Sequence, residues 1–235
     1  MKRIAIIQSA HIPWKGYFDI INSVDEFVLY DDAQYTRRDW RNRNLIKTAL
    51  GLKWLTIPVR VSGRFTQKIS ETEISDPRWA ESHWRQLASH YATAPYFALY
   101  RDGLEALYRE RRETHLSAIN HRFLTALCAL LGIRTPLRWS SDYVLTGSPS
   151  EKLVSICRQA GAQVYLSGPA AKDYLDEELF TQAGIRVEWM DYSGYPPYRQ
   201  LHGLFEHGVS LLDLLLKEGP ATSTLMKSFA AAPLS

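Results

Sequence analysis

The chain has 235 residues, enough for one large domain or two small ones with a substantial buried core. A hydrophobic share of 46% with 23% charged residues excludes a disordered or fibrous chain. The 28 Lys+Arg are offset by 25 Asp+Glu, and a formal charge of +3 argues against a basic stripe for DNA or a membrane surface.

Residues 4–7 form a continuous apolar run of strand length, as expected for a strand covered on both faces. Gly16 permits a turn into a short helix over 17–23, and 27–30 reads as a second strand. This β-α-β start favours a right-handed crossover and a parallel pair. Residues 52–61 read as a further strand, with Pro58 pushing it toward an edge or a bulge.

Over 77–131 apolar residues such as Trp79, Trp84, Leu87, Tyr91, Leu104, Ile119, Phe123 and Leu127 recur at helical spacing, with Pro95 separating the first helix from the next. Two or three helices are expected there, either capping the sheet or forming a small subdomain. The α/β pattern returns after Gly132, with strands over 136–139, 164–166 and 187–190 and helices over 150–160 and 177–183. Ser210 is placed to cap a last helix, with Asp213 in its first turn and Gly219 after its end.

The expected fold is α/β: a mostly parallel open sheet with a Rossmann-like β-α-β start, built from residues 1–75 and 132–220. A helical insertion over 76–131 and a frayed tail over 221–235 complete the organisation. No apolar run is long enough to span a membrane, and the run after Met1-Lys2-Arg3 is too short for a signal peptide core, so a cytoplasmic location is expected. Cys128 and Cys157 each sit in an apolar helix-like stretch and read as packing residues in a reducing compartment. No His/Cys spacing suits zinc, and no metal site is expected.

In an open α/β sheet the ligand crevice lies beyond the carboxyl ends of the strands. The first strand runs into Gln8-Ser9-Ala10-His11 and then Trp14 and Tyr17; the second runs into Asp31-Asp32 and the segment 37–44, which carries four arginines and one aspartate. His11 either serves as a general base near neutral pH or packs against Trp14, and His83 lies near Trp84 at a position that either lines a site or the core. Asp31 and Asp32 either orient an amine or a sugar hydroxyl, or cap the following turn.

Arg37, Arg38, Arg41 and Arg43 read singly as a solvated loop, but together with Asn42, Asn44 and Lys47 they would form a fork of donors for phosphate. Trp14, Tyr17, Tyr35 and Trp40 either offer flat surfaces for a base or a sugar face or belong to the core. Ser167-Gly168-Pro169 is either a tight turn or a place of close ligand approach, with the Ser167 hydroxyl and Lys172 facing the crevice.

The run Gln8 to Phe18 resembles the WbqC-like protein family, as do Asp31-Asp32-Ala33-Gln34-Tyr35, Arg41-Asn42-Arg43-Asn44, Trp54-Leu55-Thr56-Ile57-Pro58-Val59 and His83-Trp84 with Tyr91. So do Tyr165-Leu166-Ser167-Gly168 with Lys172-Asp173-Tyr174-Leu175, and Val209 to Leu215. The family often has Gln-Pro-x-Tyr where Gln8-Ser9-Ala10-His11 stands here. Membership implies a place in bacterial surface-polysaccharide (O-antigen type) synthesis, where an amino sugar carries an acyl or aminoacyl group.

The expected activity is therefore N-acyl or N-aminoacyl transfer to a nucleotide-linked amino sugar, with an acyl carrier protein thioester or an aminoacyl ester as donor. In this reading the arginine segment holds the diphosphate, Asp31 or Asp32 orients the amine, and His11 or His83 takes its proton.

A second likeness is to the nucleotidyltransferases that bind ATP through His-x-Gly-His after the first strand. Pro13-Trp14-Lys15-Gly16-Tyr17 has that position and that glycine, with Trp14 and Tyr17 in place of both histidines. It implies an alternative in which ATP and magnesium form an acyl adenylate, with Lys47 and Lys172 steadying phosphates. A third reading, from another class, is a non-catalytic carrier-binding protein.

Overall fold

Five strands lie parallel in the order β5-β2-β1-β6-β7: β1 is Arg3–Ile7, β2 Glu26–Leu29, β5 Leu137–Trp139, β6 Val164–Ser167 and β7 Arg186–Trp189. The computed structural model describes residues 1–229. Ala5 pairs with Phe27, Ile4 with Tyr165, and Tyr165 with Val187, all in parallel register. The chain moves outward from β1 in both directions, so right-handed crossovers must put the connecting helices on opposite faces of the sheet.

The buried residues follow that rule. On one face Ala5, Phe27 and Leu29 pack with Phe18 and Ile20 of α1 (Lys15–Asn22). On the other, Ile4, Ile6, Val28 and Tyr165 pack with Leu153 and Ile156 of α5 (Pro149–Gln159) and Phe180 of α6 (Glu177–Gln182). The fold is thus the expected mostly parallel α/β sheet with a β-α-β start.

Three helices occupy the middle of the chain: α2 (Trp79–Tyr91), α3 (Phe97–Arg109) and α4 (Leu116–Leu131). Trp79, Leu87, Leu104, Phe123 and Leu127 join the same buried cluster as Ala5 and Phe27, so the helical stretch and one face of the sheet share a core. The last helix, α7 (Leu211–Glu218), starts at Ser210, whose hydroxyl accepts from the Leu212 N–H at 3.3 Å. Asp213 lies in its first turn, as expected, but it is buried and accepts from the hydroxyls of Tyr91 (2.8 Å) and Tyr198 (2.7 Å).

Three expectations need correction. The charged segment expected as a ligand-facing loop runs into a strand, β3 (Arg43–Thr48), which pairs antiparallel with β4 (Gly51–Thr56) in a hairpin apart from the main sheet. The strand expected over 52–61 stops at Thr56, two residues before Pro58, which lacks the N–H a ladder needs. The stretch 221–229 does not fray. The buried Asp19 carboxylate accepts from the N–H groups of Lys227 (3.0 Å) and Ser228 (2.9 Å) and from the Ser228 hydroxyl, and holds this stretch against α1. Residues 230–235 of the expected tail lie outside the described residues.

Two histidines are enclosed where α2 and α4 meet. His11 contacts the rings of Trp79, His83 and Phe123 at centroid distances of 5.8, 5.6 and 5.3 Å. Burial, then the neighbouring His83, holds its pKa well below the ordinary histidine value, with Asn120 opposing. Burial likewise pushes His83 down to about 4. Both are neutral when folded and take up protons only on unfolding as pH falls through the unfolded value. Stability is therefore present above that value and declines below it, by on the order of 1.4 kcal/mol per pH unit per histidine.

Denaturant midpoints should fall steadily between pH 6.5 and 5, and the His11→Gln/His83→Gln variant should lose most of that slope; an equally steep variant would refute this origin. Asp19→Ala should lower stability by roughly 2–4 kcal/mol, because the Lys227 and Ser228 N–H groups, the Ser228 hydroxyl and the Tyr195 hydroxyl, which also donates to Asp19, lose their acceptor. Limited proteolysis should then cut within 219–229, and an uncut, equally stable variant would show that Asp19 does not hold this segment.

Candidate functional site

The sheet reverses its order between β1 and β6, and a hollow of about 510 Å³ opens at the carboxyl ends of those two strands. The loop after β1 supplies Ala10, Pro13 and Trp14, and α1 supplies Tyr17. The approach to β3 adds Trp40 and Arg41, with Asn44 following in the strand itself; the turn after β6 brings Ala170. A larger hollow of about 720 Å³ lies between α5 and α6, lined by residues such as Glu151, Arg158 and Gln182, away from these strand ends.

Each wall is held from behind. The buried Asp31 carboxylate accepts from the Ser9 N–H at 2.8 Å and from the Ser117 hydroxyl, and burial raises its pKa against those bonds. Asn120 donates to the Ser9 hydroxyl (3.0 Å) and to the Arg41 carbonyl (2.9 Å). Arg41 donates to the carbonyls of Gln8 and Ser9, both at 3.2 Å, and Asn44 donates to that of His11 at 3.1 Å. These bonds hold Ile12 at φ 37°, a left-handed conformation that costs a β-branched residue on the order of 1–3 kcal/mol.

The aromatic wall depends on close packing. Tyr17 donates to the Gln8 carbonyl at 2.9 Å, and burial raises its pKa well above normal, so the phenol stays protonated. Trp14 meets Tyr192 and Tyr195 edge-on at 5.2 and 5.5 Å. A Cβ at Gly16 would lie 2.3 Å from the Trp14 indole, so only glycine lets the ring fold back over the first turn of α1.

The segment 191–209 has no helix or strand, and it closes the hollow with Tyr192, His207 and Gly208. Irregular segments of this length are uncommon in compact domains unless they serve a site. It is strapped down by side chains: Lys15 donates to the Pro196 carbonyl (3.1 Å), Tyr195 to Asp19 (2.6 Å) and Lys47 to Gln200 (2.7 Å). Burial lowers the Lys15 pKa, and the ammonium rests over the rings of Tyr195 and Tyr198.

Of the residues expected at the site, Trp14, Tyr17, Trp40, Arg41 and Asn44 line this hollow, while Gln8 lies behind it, its carbonyl accepting from Tyr17 and Arg41. The others are placed elsewhere. His11 points into the helical core and neither ring nitrogen has a hydrogen-bond partner. Asp31 is a buried brace. Asp32 pairs with Lys68 at 2.6 Å, accepts from Ser140, and borders a separate hollow of about 420 Å³.

The expected donor fork does not converge. Asn42 donates to the Ile57 carbonyl at 2.8 Å, Arg43 lies over Trp54, and Lys47 is buried under the 191–209 segment. Tyr35 is in the core. Ser167 donates to the Tyr165 hydroxyl at 3.2 Å; a Cβ at Gly168 would meet only Tyr192, at 3.9 Å; Lys172 is exposed over Trp189. His83 lines another hollow, beside α2.

Tyr192, His207 and Gly208 were not foreseen, because 191–209 has no periodicity to place it. Its tyrosines and glycines among prolines were the available signal. Among the described residues no group of three or more His, Cys, Asp or Glu side chains is gathered to hold a metal ion, and no helix is long and apolar enough to cross a membrane. Gly16→Ala should swing the Trp14 indole out of the wall while changing stability by no more than about 1 kcal/mol. The Trp14 resonance in fluorotryptophan-labelled protein should move toward its solvent-exposed position, and an unmoved resonance would refute the packing argument.

The chain is 53% identical over 219 residues to "Uncharacterized protein Rv1507c" of Mycobacterium tuberculosis (strain ATCC 25618 / H37Rv), a match covering 93% of this chain and 95% of that protein. No solved structure matches it. The pattern of the WbqC-like protein family matches residues 8–224, which takes in both strand ends, the hairpin and the 191–209 segment that together enclose the hollow. The chain therefore belongs to the WbqC-like protein family.

Proposed function

We propose that the chain forms an amide on a nucleotide-linked amino sugar in surface-polysaccharide synthesis, transferring an acyl or aminoacyl group from a carrier thioester or an aminoacyl ester. The observation that carries this reading is the hollow at the β1/β6 switch, walled by Trp14, Tyr17, Trp40 and Tyr192 with Arg41, Asn44 and His207 among them. Aromatic faces suit the apolar face of a sugar ring, while the guanidinium and amide suit phosphate and hydroxyl oxygens.

Amide formation needs a neutral amine aligned with an acyl carbon. The amine lone pair attacks that carbon and the C–S or C–O bond to the donor breaks, while a base takes the proton from the amine nitrogen and passes it to the departing thiolate or alkoxide. His207 takes this role in place of His11 and His83, since it is the histidine that borders the hollow and is exposed. Holding both reactants together supplies much of the acceleration, because good alignment can remove roughly 7–11 kcal/mol of a bimolecular barrier.

Calorimetry with UDP-glucosamine and mass spectrometry of its acylation by candidate thioesters and aminoacyl esters, with and without ATP and magnesium, test the reading. Wild-type protein should bind the nucleotide sugar and add one acyl group. His207→Gln should keep binding within about twofold and lose on the order of 100-fold or more in rate. No binding of amino sugar nucleotides and no acylation would reject the proposal, and acylation only with ATP would move it to the adenylate-forming alternative.

A further inference from the structure

The aromatic wall does not stop at the edge of the hollow. Trp40 is 43% exposed and its ring lies 5.3 Å from that of Trp54, itself 40% exposed on the outer face of β4. Trp54 in turn borders a second hollow of about 570 Å³, between β4 and α2. Two half-open indoles in contact leave a large apolar surface in water, which is unfavourable unless something covers it.

The shelf is built rather than loose. Arg43 stands opposite Thr56 in the hairpin register and therefore diagonal to Trp54, and its guanidinium lies 4.0 Å from the centre of the Trp54 ring. The same side chain donates to the Arg38 carbonyl, which fixes the guanidinium and hence the indole. Trp40, Trp54 and the Arg43 guanidinium thus lie together beside the first hollow, whose wall carries Arg41.

The second hollow carries little net charge. Asp76 is paired with Arg78 at 2.8 Å and Glu81 with Arg85 at 3.0 Å, so its rim is electrically compensated. Two of its lining residues, Trp79 and His83, are buried, and Trp79 Nε1 and His83 Nδ1 have no hydrogen-bond partner. His83 Nε2 lies 3.1 Å from the Thr56 carbonyl and must be the protonated nitrogen, so the two rings form the closed inner end of the hollow rather than its open face. A rim without net charge beside two half-exposed indoles suits an uncharged, flat, aromatic ligand that stacks. A nucleobase has that chemistry.

We infer that the Trp40–Trp54 shelf and the second hollow hold the base of the nucleotide, stacked on Trp54, while its sugar occupies the first hollow and its diphosphate crosses between Arg41 and Arg43. This rests on the amino sugar nucleotide reading and adds which end of the substrate goes where. The base is held by stacking and the phosphates by two guanidinium groups, not by a four-arginine fork.

The test compares UDP-glucosamine, UDP and glucosamine 1-phosphate as probes, with calorimetry and with fluorotryptophan resonances assigned through Trp54→Phe and Trp40→Phe. The Trp54 resonance should shift with UDP-glucosamine and UDP and stay in place with glucosamine 1-phosphate. Trp54→Ala should weaken the two uridine probes by roughly tenfold and leave glucosamine 1-phosphate unchanged, while Trp54→Phe should retain most of the affinity because a phenyl ring still stacks.

UDP-glucosamine bound equally well by Trp54→Ala, with an unmoved Trp54 resonance, would overturn the shelf and leave the proposed reaction standing. UDP shifting Trp54 in a protein that acylates no amino sugar would do the reverse. Failure of all three probes to bind the wild-type protein would overturn both.

Discussion

The hydrogen bond from the Ser9 N–H to the buried Asp31 carboxylate is the contact on which the rest of the site depends. It joins the ends of the two strands that begin the fold, and everything around the hollow is tied to the backbone it fixes. Ser117 and Asn120 brace it from α4, Arg41 and Asn44 from the hairpin side, and the Leu211 N–H from α7 reaches the Pro13 carbonyl at 2.8 Å. A buried carboxylate without such donors would be costly; with them it becomes a hub that makes a strained Ile12 tolerable.

Topology then decides where that hub can serve. Because β1 has β2 on one side and β6 on the other, the crossovers leave it to opposite faces and open a crevice at its carboxyl end. The parallel sheet supplies only the floor of the crevice. One wall comes from the loop after β1 and from α1; the others come from two additions outside the sheet, the approach to the β3–β4 hairpin with the start of β3 and the 191–209 segment, neither of which joins the parallel ladder.

The parts of the chain that were legible are those whose burial is periodic. The runs at Ile4–Ile7 and Phe27–Leu29 stand out because both faces of their strands are covered, and the middle helices because Trp79, Trp84, Leu87 and Tyr91 repeat at one face. Strand β3 escaped notice because its buried positions include Asn44, Lys47 and Thr48, polar residues whose partners, such as Gln200 and the His11 carbonyl, lie far away in sequence.

The site was legible at the level of strand ends and much less at the level of side chains. Trp14, Tyr17, Arg41 and Asn44 line the hollow, but the direction of His11 is set by the left-handed turn at Ile12 and by α2 and α4, which local pattern cannot reveal. Asp31 and Asp32, adjacent in the chain, separate for a similar reason: one turns inward to Ser9 and Ser117, the other outward to Lys68.

The hairpin has one more consequence. Its outer strand, β4, pairs along only one side, and its tip at Leu50 stands almost entirely in solvent. Residues added or removed at that tip would lengthen or shorten the arm without touching any hydrogen bond of the parallel ladder. Length changes within this architecture are thus mechanically cheap at the arm and expensive at the platform.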